Sequence, residues 1–483
     1  MQFVVIQRIT GLLLMIFSTT LLPPIVVSLI YNDSAYYSFF YAFVITLLAG
    51  LVFWIPVRNV KRDVRLRDGF VIVTLFWTSL TIVGSLPLAM AETPHLSLVD
   101  AFFESMSGLT TTGATILSGI DYLPESIRYY RQQLQWLGGM GIVVLAVAVM
   151  PMLGIGGMQL YRAETPGPIK DSKLTPRITE TAKALWYIYL GLTVACAVAY
   201  YLAGMDLFDA IGHSFSTIAI GGFSTHDQSI GFFDSTAINA IAIIFMLLAG
   251  INFALHFMAW RARNPIIYFR DAEVQTYAVI LLVVCLISVV SLLYLGTYDN
   301  WQDAINHGLF QAVSIATTTG FTTTGFAWWP LFLPVLLITA SFIGGCASST
   351  AGGMKVIRIL LLVKQGRREI MRLIHPNAII PIKVGGKPTE DRVINAVWGF
   401  FSLYVLSFGV LSLIMASTGV DLVTAFSAVA ACLNNLGPGL GSVAQDYAGI
   451  SDTGKWVLCF AMLMGRLELF TLLVLFTPSF WRN

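Results

Sequence analysis

The sequence predicts an all-α polytopic membrane protein of ten transmembrane helices, arranged as four span–pore-loop–span units with pseudo-fourfold symmetry plus two extra N-terminal spans. Three observations predict this fold class. Of the 483 residues, 57% are hydrophobic and only 11% are charged, whereas charged residues make up about a quarter of a soluble globular domain. The apolar residues gather in runs of about 20 or more, the length that a helix needs to cross a bilayer. Four shorter apolar segments between these runs align with one another.

Ten apolar runs meet this length requirement. The predicted spans cover residues 3–31, 36–57, 69–91, 132–155, 183–204, 235–260, 273–296, 330–364, 393–416 and 455–479.

The distribution of charge predicts the orientation of these spans. With the N-terminus inside, 24 of the 28 Lys and Arg residues lie on the cytoplasmic side, as the positive-inside rule requires. Both termini are therefore predicted to be cytoplasmic. The outer loops carry 15 of the 26 Asp and Glu residues and three basic residues, so the outer mouth would raise the local concentration of cations. The simpler alternative is that these acids only solvate the outer loops.

Four outer segments of fourteen residues align without a gap, and each ends in glycine: Asp100–Gly113, Asp209–Gly222, His307–Gly320 and Thr424–Gly437. Each lies between two predicted spans and is too short to cross the bilayer. We expect each segment to enter the membrane as a half-helix and to return as extended chain lining a pore. The predicted units are residues 1–67 for the N-terminal extension and 68–160, 161–264, 265–375 and 376–483 for pore units 1 to 4.

The residues of these turns indicate a cation as the ligand. Glycine permits positive φ and close approach of another chain, and Thr110–Thr112 and Thr317–Thr319 add further oxygen atoms beside two of the glycines. Rings of backbone carbonyl oxygens replace the hydration shell of a monovalent cation, and the half-helices would point their negative dipole ends at it. One Thr-Thr-Thr-Gly run alone is more simply a turn, but four copies in frame favour a pore.

The loop sequences TTTGAT, IGGFST, ATTTGFTT and NNLGPG, with YRAETPGP after the fourth span and GRLELFTLL near the C-terminus, closely resemble the TrkH family, within the Trk/Ktr/HKT superfamily of potassium transporters. The resemblance covers nearly the whole chain. It implies potassium uptake through a selectivity filter built by the four loops. The strongly selective TVGYG sequence is absent, so moderate selectivity over sodium is expected. The potassium-binding residues that the resemblance implies are Thr111, Thr112, Gly113, Ile220, Gly221, Gly222, Thr318, Thr319, Gly320, Asn435, Leu436 and Gly437.

The eighth span is too long to be one straight helix. Its 35 residues would extend about 52 Å, beyond a hydrocarbon core of roughly 30 Å. The small and hydroxyl-bearing run Gly344–Gly353 has poor helix propensity and is the expected interruption. Close packing of helices through small residues is the alternative.

Arg466 lies near the middle of the last predicted span, where an arginine costs about 2.5–3.5 kcal/mol and usually has a function. It would repel a cation leaving the filter. The alternative is a structural pair with Glu468, but residues two apart do not face each other on a helix, so Glu468 is expected to pair elsewhere.

The family resemblance assigns both of these features to a gate. Ser348 and Ala351 stand where glycine is expected, which predicts a stiffer gating loop. The gate residues implied are Gly345, Cys346, Ala347, Ser348, Ser349, Thr350, Ala351, Gly352, Gly353, Lys355 and Arg466.

Other functional classes find little support. The chain has no Walker A motif, HExxH motif or nucleophile elbow, and its spans lack a cluster of carboxylates or histidines, so the sequence predicts neither an enzyme nor a cofactor. Basic residues in short clusters do not form a nucleic-acid-binding stripe. The remaining alternative is a proton- or sodium-coupled solute symporter, a class that often uses inverted repeats, whereas the four units here share one orientation.

The cytoplasmic face is predicted to be strongly basic, which the positive-inside rule and anionic lipid suffice to explain. The resemblance adds two partners, a second copy of the chain in a homodimer and a cytosolic TrkA-type nucleotide-binding ring. Any regulatory nucleotide would then be bound by the partner. The predicted location is the lipid bilayer of the bacterial inner membrane.

Overall fold

The computed structural model describes residues 1–60, 65–141, 178–330 and 332–482. Apart from one short hairpin, the regular structure is helical. The N-terminal helices are Phe3–Thr19, Leu22–Tyr31 and Tyr36–Trp54, followed by the short turn Ile55–Val57.

The remaining helices follow the order of the four predicted units. The first group is Leu66–Met90, Leu98–Leu109, Ile120–Tyr122, Glu125–Trp136 and Leu137–Gly141. The second is Ile178–Leu202, Leu207–Ala219, Ser229–Phe233, Thr236–Ala249, Phe253–Ala262 and Ile266–Arg270. The third is Ala272–Tyr294, Trp301–Ala316, Phe326–Trp328, Leu333–Ser341 and Val356–Ile374. The fourth is Asp391–Ser417, Leu422–Leu433, Gly441–Val443, Asp452–Arg466, Phe470–Leu473, Val474–Phe476 and Pro478–Trp481. The strands Lys383–Val384 and Lys387–Pro388 pair antiparallel between the third and fourth groups.

Helices long enough to span a bilayer recur along the described residues. Six helices meet the length and hydropathy requirement, and two bent helix pairs raise the number to eight if each pair is one span. The fourth predicted span, 132–155, extends beyond residue 141 and so lies partly outside the described residues. The expected interruption of the eighth span is confirmed, because one helix ends at Ser341 and the next begins at Val356.

Two of the predicted spans, 235–260 and 455–479, are sharply bent rather than straight helices. Helices Thr236–Ala249 and Phe253–Ala262 meet at 94°. At this break the Gly250 carbonyl accepts from Cys346 N at 2.9 Å, and Phe253 N donates to the Ser348 carbonyl at 3.2 Å. A segment from another part of the chain therefore satisfies backbone groups that a straight helix would have paired internally.

The last predicted span bends by 110° directly after Arg466. Glu468 and Leu469 both have φ of +53°, a left-handed conformation that no continuous right-handed helix can contain. Arg466 therefore lies at the C-terminal end of its helix rather than in the middle of one.

The interior is divided into two large apolar clusters. One joins the N-terminal helices with the first and fourth groups, through residues such as Phe17, Trp77 and Leu458. The other joins the second and third groups, through residues such as Tyr189 and Phe310. The pore segments of all four groups contribute to these clusters, which hold them against one another.

Helix Ala272–Tyr294 shows how the outside is built. One face buries Leu281, Val284 and Leu292, while Leu282 and Val290 on the opposite face are more than half exposed. A helix apolar on all sides and exposed on one is typical of a span that faces lipid.

Candidate functional site

The four predicted re-entrant segments end in the same backbone turn. Their pore helices are Leu98–Leu109, Leu207–Ala219, Trp301–Ala316 and Leu422–Leu433. We call the turns that follow filter loops 1 to 4, residues 110–113, 219–222, 317–320 and 434–437. In each loop the second residue is left-handed, with φ of 54° at Thr111, 54° at Ile220, 66° at Thr318 and 53° at Asn435. The terminal glycine also has positive φ, 81° at Gly113, 79° at Gly222, 82° at Gly320 and 99° at Gly437.

The hydrogen bonds of the four turns repeat as well. The third residue of each loop donates its N–H to the carbonyl five residues earlier, as in a Schellman helix cap. The four bonds are Thr112 N to Ser107 O at 2.9 Å, Gly221 N to Ser216 O at 2.9 Å, Thr319 N to Ser314 O at 2.8 Å and Leu436 N to Ala431 O at 2.7 Å. The aligned segments therefore share one conformation despite their different side chains.

This turn is strained because non-glycine residues occupy the left-handed position. The cost is roughly 1–2 kcal/mol for each residue, and it is most unusual for β-branched residues such as Ile220 and Thr318. Strain that persists at four equivalent positions is typical of a site where the backbone itself has a function.

The filter loops contact one another in a closed ring. A Cβ atom added to any of the four terminal glycines would come closer than 3.0 Å to a carbonyl oxygen of the next loop. The carbonyls that the glycines meet are Gly221 for Gly113, Thr319 for Gly222, Leu436 for Gly320 and Thr112 for Gly437. The order of contacts runs from loop 1 to 2, 3, 4 and back to 1, so the pseudo-fourfold arrangement predicted from the repeat is present.

Most residues of this ring are buried, and most of their carbonyl oxygens have no protein donor among the described residues. No donor in the described parts of the chain reaches the carbonyls of Thr111, Thr112, Gly113, Ile220, Gly222, Thr318, Thr319, Gly320, Asn435 or Leu436. Two predicted members differ, since Gly221 O accepts from Gln135 Nε2 at 2.6 Å and Gly437 O accepts from Tyr447 Oη at 2.7 Å. Buried carbonyls are nearly always paired, so a concentration of unpaired ones indicates a place for a cation.

A buried ion pair that the sequence analysis missed supports the ring. Arg131 Nε lies 2.7 Å from Glu104 Oε1, with side-chain exposures of 1% and 0%. Arg131 also donates to Ser224 O at 3.1 Å and Thr115 Oγ1 at 3.0 Å, and its guanidinium lies 4.3 Å from the centre of the Phe223 ring. It therefore ties pore helix 1 to the chain on the outer side of loops 1 and 2. A carboxylate inside an apolar pore segment is the signal that could have revealed it, because such a charge needs a partner.

Gln135 holds filter loop 2 from behind. Its Nε2 donates to Gly221 O, and its Oε1 accepts from Phe223 N at 3.0 Å. One side chain thus bonds both sides of Gly222. No sequence pattern indicates this role, because a glutamine near the start of a span has many simpler uses.

The outer basic residues are each neutralised by an acid. Arg128 pairs with Glu125 at 3.0 Å, and Lys455 Nζ lies 2.6 Å from Asp100 Oδ1. With Arg131 bound to Glu104, the three predicted outer cations are all paired. The acids of the loops predicted to be outer still outnumber these three cations.

The interruption of the eighth span lies directly against the inner ends of the filter loops. We call residues 342–355 the gating segment. Thr350 Oγ1 donates to Ile218 O at 2.8 Å, next to loop 2, and Gly352 N donates to Thr318 Oγ1 at 2.7 Å in loop 3. Gly353 N donates to Asn434 O at 3.0 Å in loop 4.

Arg466 completes this contact at filter loop 1. Its Nη1 lies 3.2 Å from Thr111 Oγ1 and 3.5 Å from Thr350 O, and its Nη2 donates to Gly138 O and, at 2.7 Å, to Gly139 O. The gating segment and Arg466 together therefore touch all four inner ends of the ring.

The gating segment is fixed by hydrogen bonds within itself and to two other parts of the chain. Val356 N donates to Gly345 O at 3.0 Å, Cys346 N donates to Gly250 O, and the Ser349 hydroxyl donates to Cys346 O at 2.6 Å. Glu273 Oε1 accepts from both Ala347 N at 2.7 Å and Ile357 N at 3.2 Å. Residues 345 to 357 are thereby folded back on themselves.

Three further predicted gate residues have distinct positions. Ser348 is left-handed, with φ of 56°, which is the conformation that glycine adopts at no cost. Ala351 is buried in a small cluster with Ile220 and Ala249. The Lys355 ammonium donates to the carbonyl of Ala351, so the chain closes on itself just before the next helix.

Glu468 pairs with a different span, as expected from its spacing. Its partner is Arg358, at the start of helix Val356–Ile374.

Comparison with known proteins places this geometry in a family. The family model for TrkH, described as a cation transport protein, matches residues 37–483. The chain belongs to the TrkH family. Membership confirms that the chain is a transporter, as expected from the sequence, rather than an enzyme. The chain is a multi-pass membrane protein.

The similarity extends over the whole chain. The chain is 59% identical over 485 residues to the Trk system potassium uptake protein TrkH of Vibrio parahaemolyticus. It is 56% identical over 483 residues to the protein of the same name from Escherichia coli K12. Each alignment covers 100% of both chains. The crystal structure of the potassium transporter TrkH from Vibrio parahaemolyticus matches with a TM-score of 0.91 at 57% identity, covering 100% of both chains. These relatives do not favour the symporter alternative.

Proposed function

We propose that this chain carries potassium into the cell through the ring of four filter loops. The observation that carries the proposal is the closed ring of carbonyls with few protein donors. Such oxygens take the place of the water molecules around a dehydrated monovalent cation. The curated relatives named above are potassium uptake proteins, which favours potassium over other cations.

The proposed binding set is the backbone at the last three positions of each loop. Carbonyls with no protein donor contribute most directly. Gly221 and Gly437 already accept one hydrogen bond each, although a carbonyl has a second lone pair. The full set is Thr111, Thr112, Gly113, Ile220, Gly221, Gly222, Thr318, Thr319, Gly320, Asn435, Leu436 and Gly437.

The gate consists of Gly345–Gly353 and Lys355 within the gating segment, together with Arg466. Its role follows from contact with every filter loop on the inner side. A cation that leaves the ring meets packed backbone and a guanidinium group, so passage requires the segment to move. Net flow is inward because a negative interior contributes about 2.3 kcal/mol per charge for each 100 mV.

The finer arrangement is part of the same proposal. Ten spans in four units with the predicted borders, both termini in the cytoplasm and location in the bacterial inner membrane agree with the charge distribution of the loops. The relatives' designation as Trk system proteins supports partner subunits. We assign these as a second copy of the chain and a TrkA-type nucleotide-binding ring on the basic cytoplasmic face.

Rubidium-86 uptake tests this function. Purified protein in potassium-loaded liposomes should accumulate rubidium, and external potassium should compete far better than sodium or choline. Gly113→Ala should abolish this uptake, because its Cβ has no room beside Gly221 O and φ is +81°. The matched control is Gly191→Ala, since a Cβ at Gly191 meets nothing within 4 Å.

Uptake is measured in wild type and in Arg466→Gln, so that a closed gate is not mistaken for lack of function. Uptake that ignores all three competitors, or that survives Gly113→Ala unchanged, would contradict the proposed filter.

A further inference from the structure

The buried ion pair between Arg358 and Glu468 joins two parts of the chain that are far apart in sequence. Their side-chain exposures are 7% and 22%. Arg358 also donates to Met354 O at 3.0 Å, and its guanidinium lies 4.2 Å from the centre of the Phe400 ring. The guanidinium of Arg358 is therefore held in one geometry rather than making a loose surface contact.

Each partner is attached directly to one half of the gate. Arg358 is the third residue of helix Val356–Ile374, which continues from the gating segment. Glu468 is two residues beyond Arg466, in the left-handed turn that follows its helix. The ion pair thus ties the base of the gating segment to the turn that carries the gate arginine.

The charges around the pair make Glu468 important. Lys355, Arg358 and Arg466 are three cations on the inner side of the ring, and the acids among the described residues that interact with Lys355 there are Glu468 and Glu273. Glu273 is already bonded to two backbone N–H groups. Glu468 is consequently the carboxylate that balances Lys355 and Arg358 beside the gate.

We infer that Arg358 and Glu468 are positioning residues that act as a latch, keeping the gating segment and Arg466 docked together under the filter. This inference rests on the proposed function. When the latch is intact, the segment and the arginine leave the ring as one unit. When either charge is removed, each part can separate by itself, and the undocked state becomes more populated.

The direction of the effect follows from the packing. Thr350 and Arg466 contact each other and the filter in the arrangement seen here. Breaking a partly buried pair by removing one partner leaves an uncompensated charge in the docked state. Neutralisation therefore destabilises the docked state and should raise rubidium flux in the absence of any partner protein.

The experiment is a double-mutant cycle on rubidium-86 uptake in proteoliposomes. The variants are Arg358→Gln, Glu468→Gln and both together. Asp391→Asn is the matched control, because Asp391 pairs at 2.8 Å with Arg368, which is on the same helix as Arg358 but ten residues further along it. Arg466→Gln reports whether the pore itself can conduct.

Each single neutralisation should raise flux about tenfold, within the roughly 5–150-fold range usual for coupling between sites. The double variant should show no larger increase than either single one, because all three remove the same interaction and the double variant leaves no uncompensated charge. The apparent affinity for potassium in competition should stay at the wild-type value, and Asp391→Asn should have no effect.

Two results would overturn the latch. One is flux within twofold of wild type in both single variants while Arg466→Gln conducts. The other is a double variant whose increase is the product of the two single increases, which means that the residues act independently. If no variant, including Arg466→Gln, takes up rubidium with preference for potassium, the proposed function itself fails instead.

Discussion

Replacing Arg466 by a neutral residue should open the inner side of the pore to cations. The guanidinium lies 3.2 Å from Thr111 in filter loop 1 and also contacts Thr350 of the gating segment. The replacement Arg466→Gln removes the charge and keeps a polar side chain of moderate length. Arg466→Lys keeps the charge but loses the planar fork that reaches several carbonyls at once.

The magnitude follows from Coulomb's law. The guanidinium and a cation held by loop 1 are separated by one side chain and one peptide unit. The distance between the two charges is therefore about 8 Å. At an effective dielectric constant of about 20, two unit charges at that distance repel by roughly 2 kcal/mol. Removing this repulsion corresponds to about a 30-fold increase in the rate of ion passage.

The assay is rubidium-86 uptake by potassium-loaded proteoliposomes without any partner protein. Arg466→Gln should pass rubidium about 30-fold faster than wild type, and Arg466→Lys should stay within a few fold of wild type. Arg128→Gln is the control, because Arg128 forms a partly buried pair with Glu125, and it should leave uptake unchanged. The electrostatic reasoning is refuted if the lysine variant conducts as fast as the glutamine variant, or if the glutamine variant conducts no faster than wild type.

Three further outcomes are expected. Arg131→Leu should lower the free energy of unfolding by about 3–5 kcal/mol, because it leaves Glu104 buried without its partner. A thermal melt in detergent checks this, and a melting temperature equal to that of wild type would contradict it. Thr350→Val should raise partner-free rubidium flux about fivefold, since it removes one hydrogen bond worth about 1 kcal/mol from the docked gating segment; unchanged flux would refute this role. Stability should also fall as pH rises past the pKa of His226, which partial burial lowers but hydrogen bonds to Asp209 and Asp121 raise above the ordinary 6.5. The protonated ring stabilises the outer face below that pH, so melts across pH 5.5–8.5 should show a decline that His226→Gln removes, and an equal decline in His226→Gln would count against it.

The repeat made the filter predictable from the sequence. Four aligned glycines indicated the ring, because a position with no room for a Cβ atom requires glycine. The break in the eighth span was also predictable. A straight helix of 35 residues would be longer than the bilayer is thick, and the run Gly344–Gly353 has poor helix propensity. Length and composition were sufficient for both.

The bends and the supporting ion pairs were not predictable in this way. Glu468 and Leu469 adopt left-handed φ without glycine, so nothing in their composition marks a turn. The break at Gly250 depends on backbone groups of the gating segment, almost 100 residues away in the chain. Such features arise from contacts between distant segments, and a local pattern carries no information about them.

The most direct test of the account is the position of a bound cation. Crystals of the protein soaked in rubidium or thallium salts should give an anomalous-scattering peak inside the ring of the four filter loops, surrounded by the carbonyls of Thr111, Ile220, Thr318 and Asn435 and their neighbours. The same peak should be absent in Gly113→Ala and present in Gly191→Ala. A ring without a peak in crystals that bind the ion elsewhere along the chain would contradict the claim that these four loops form the filter.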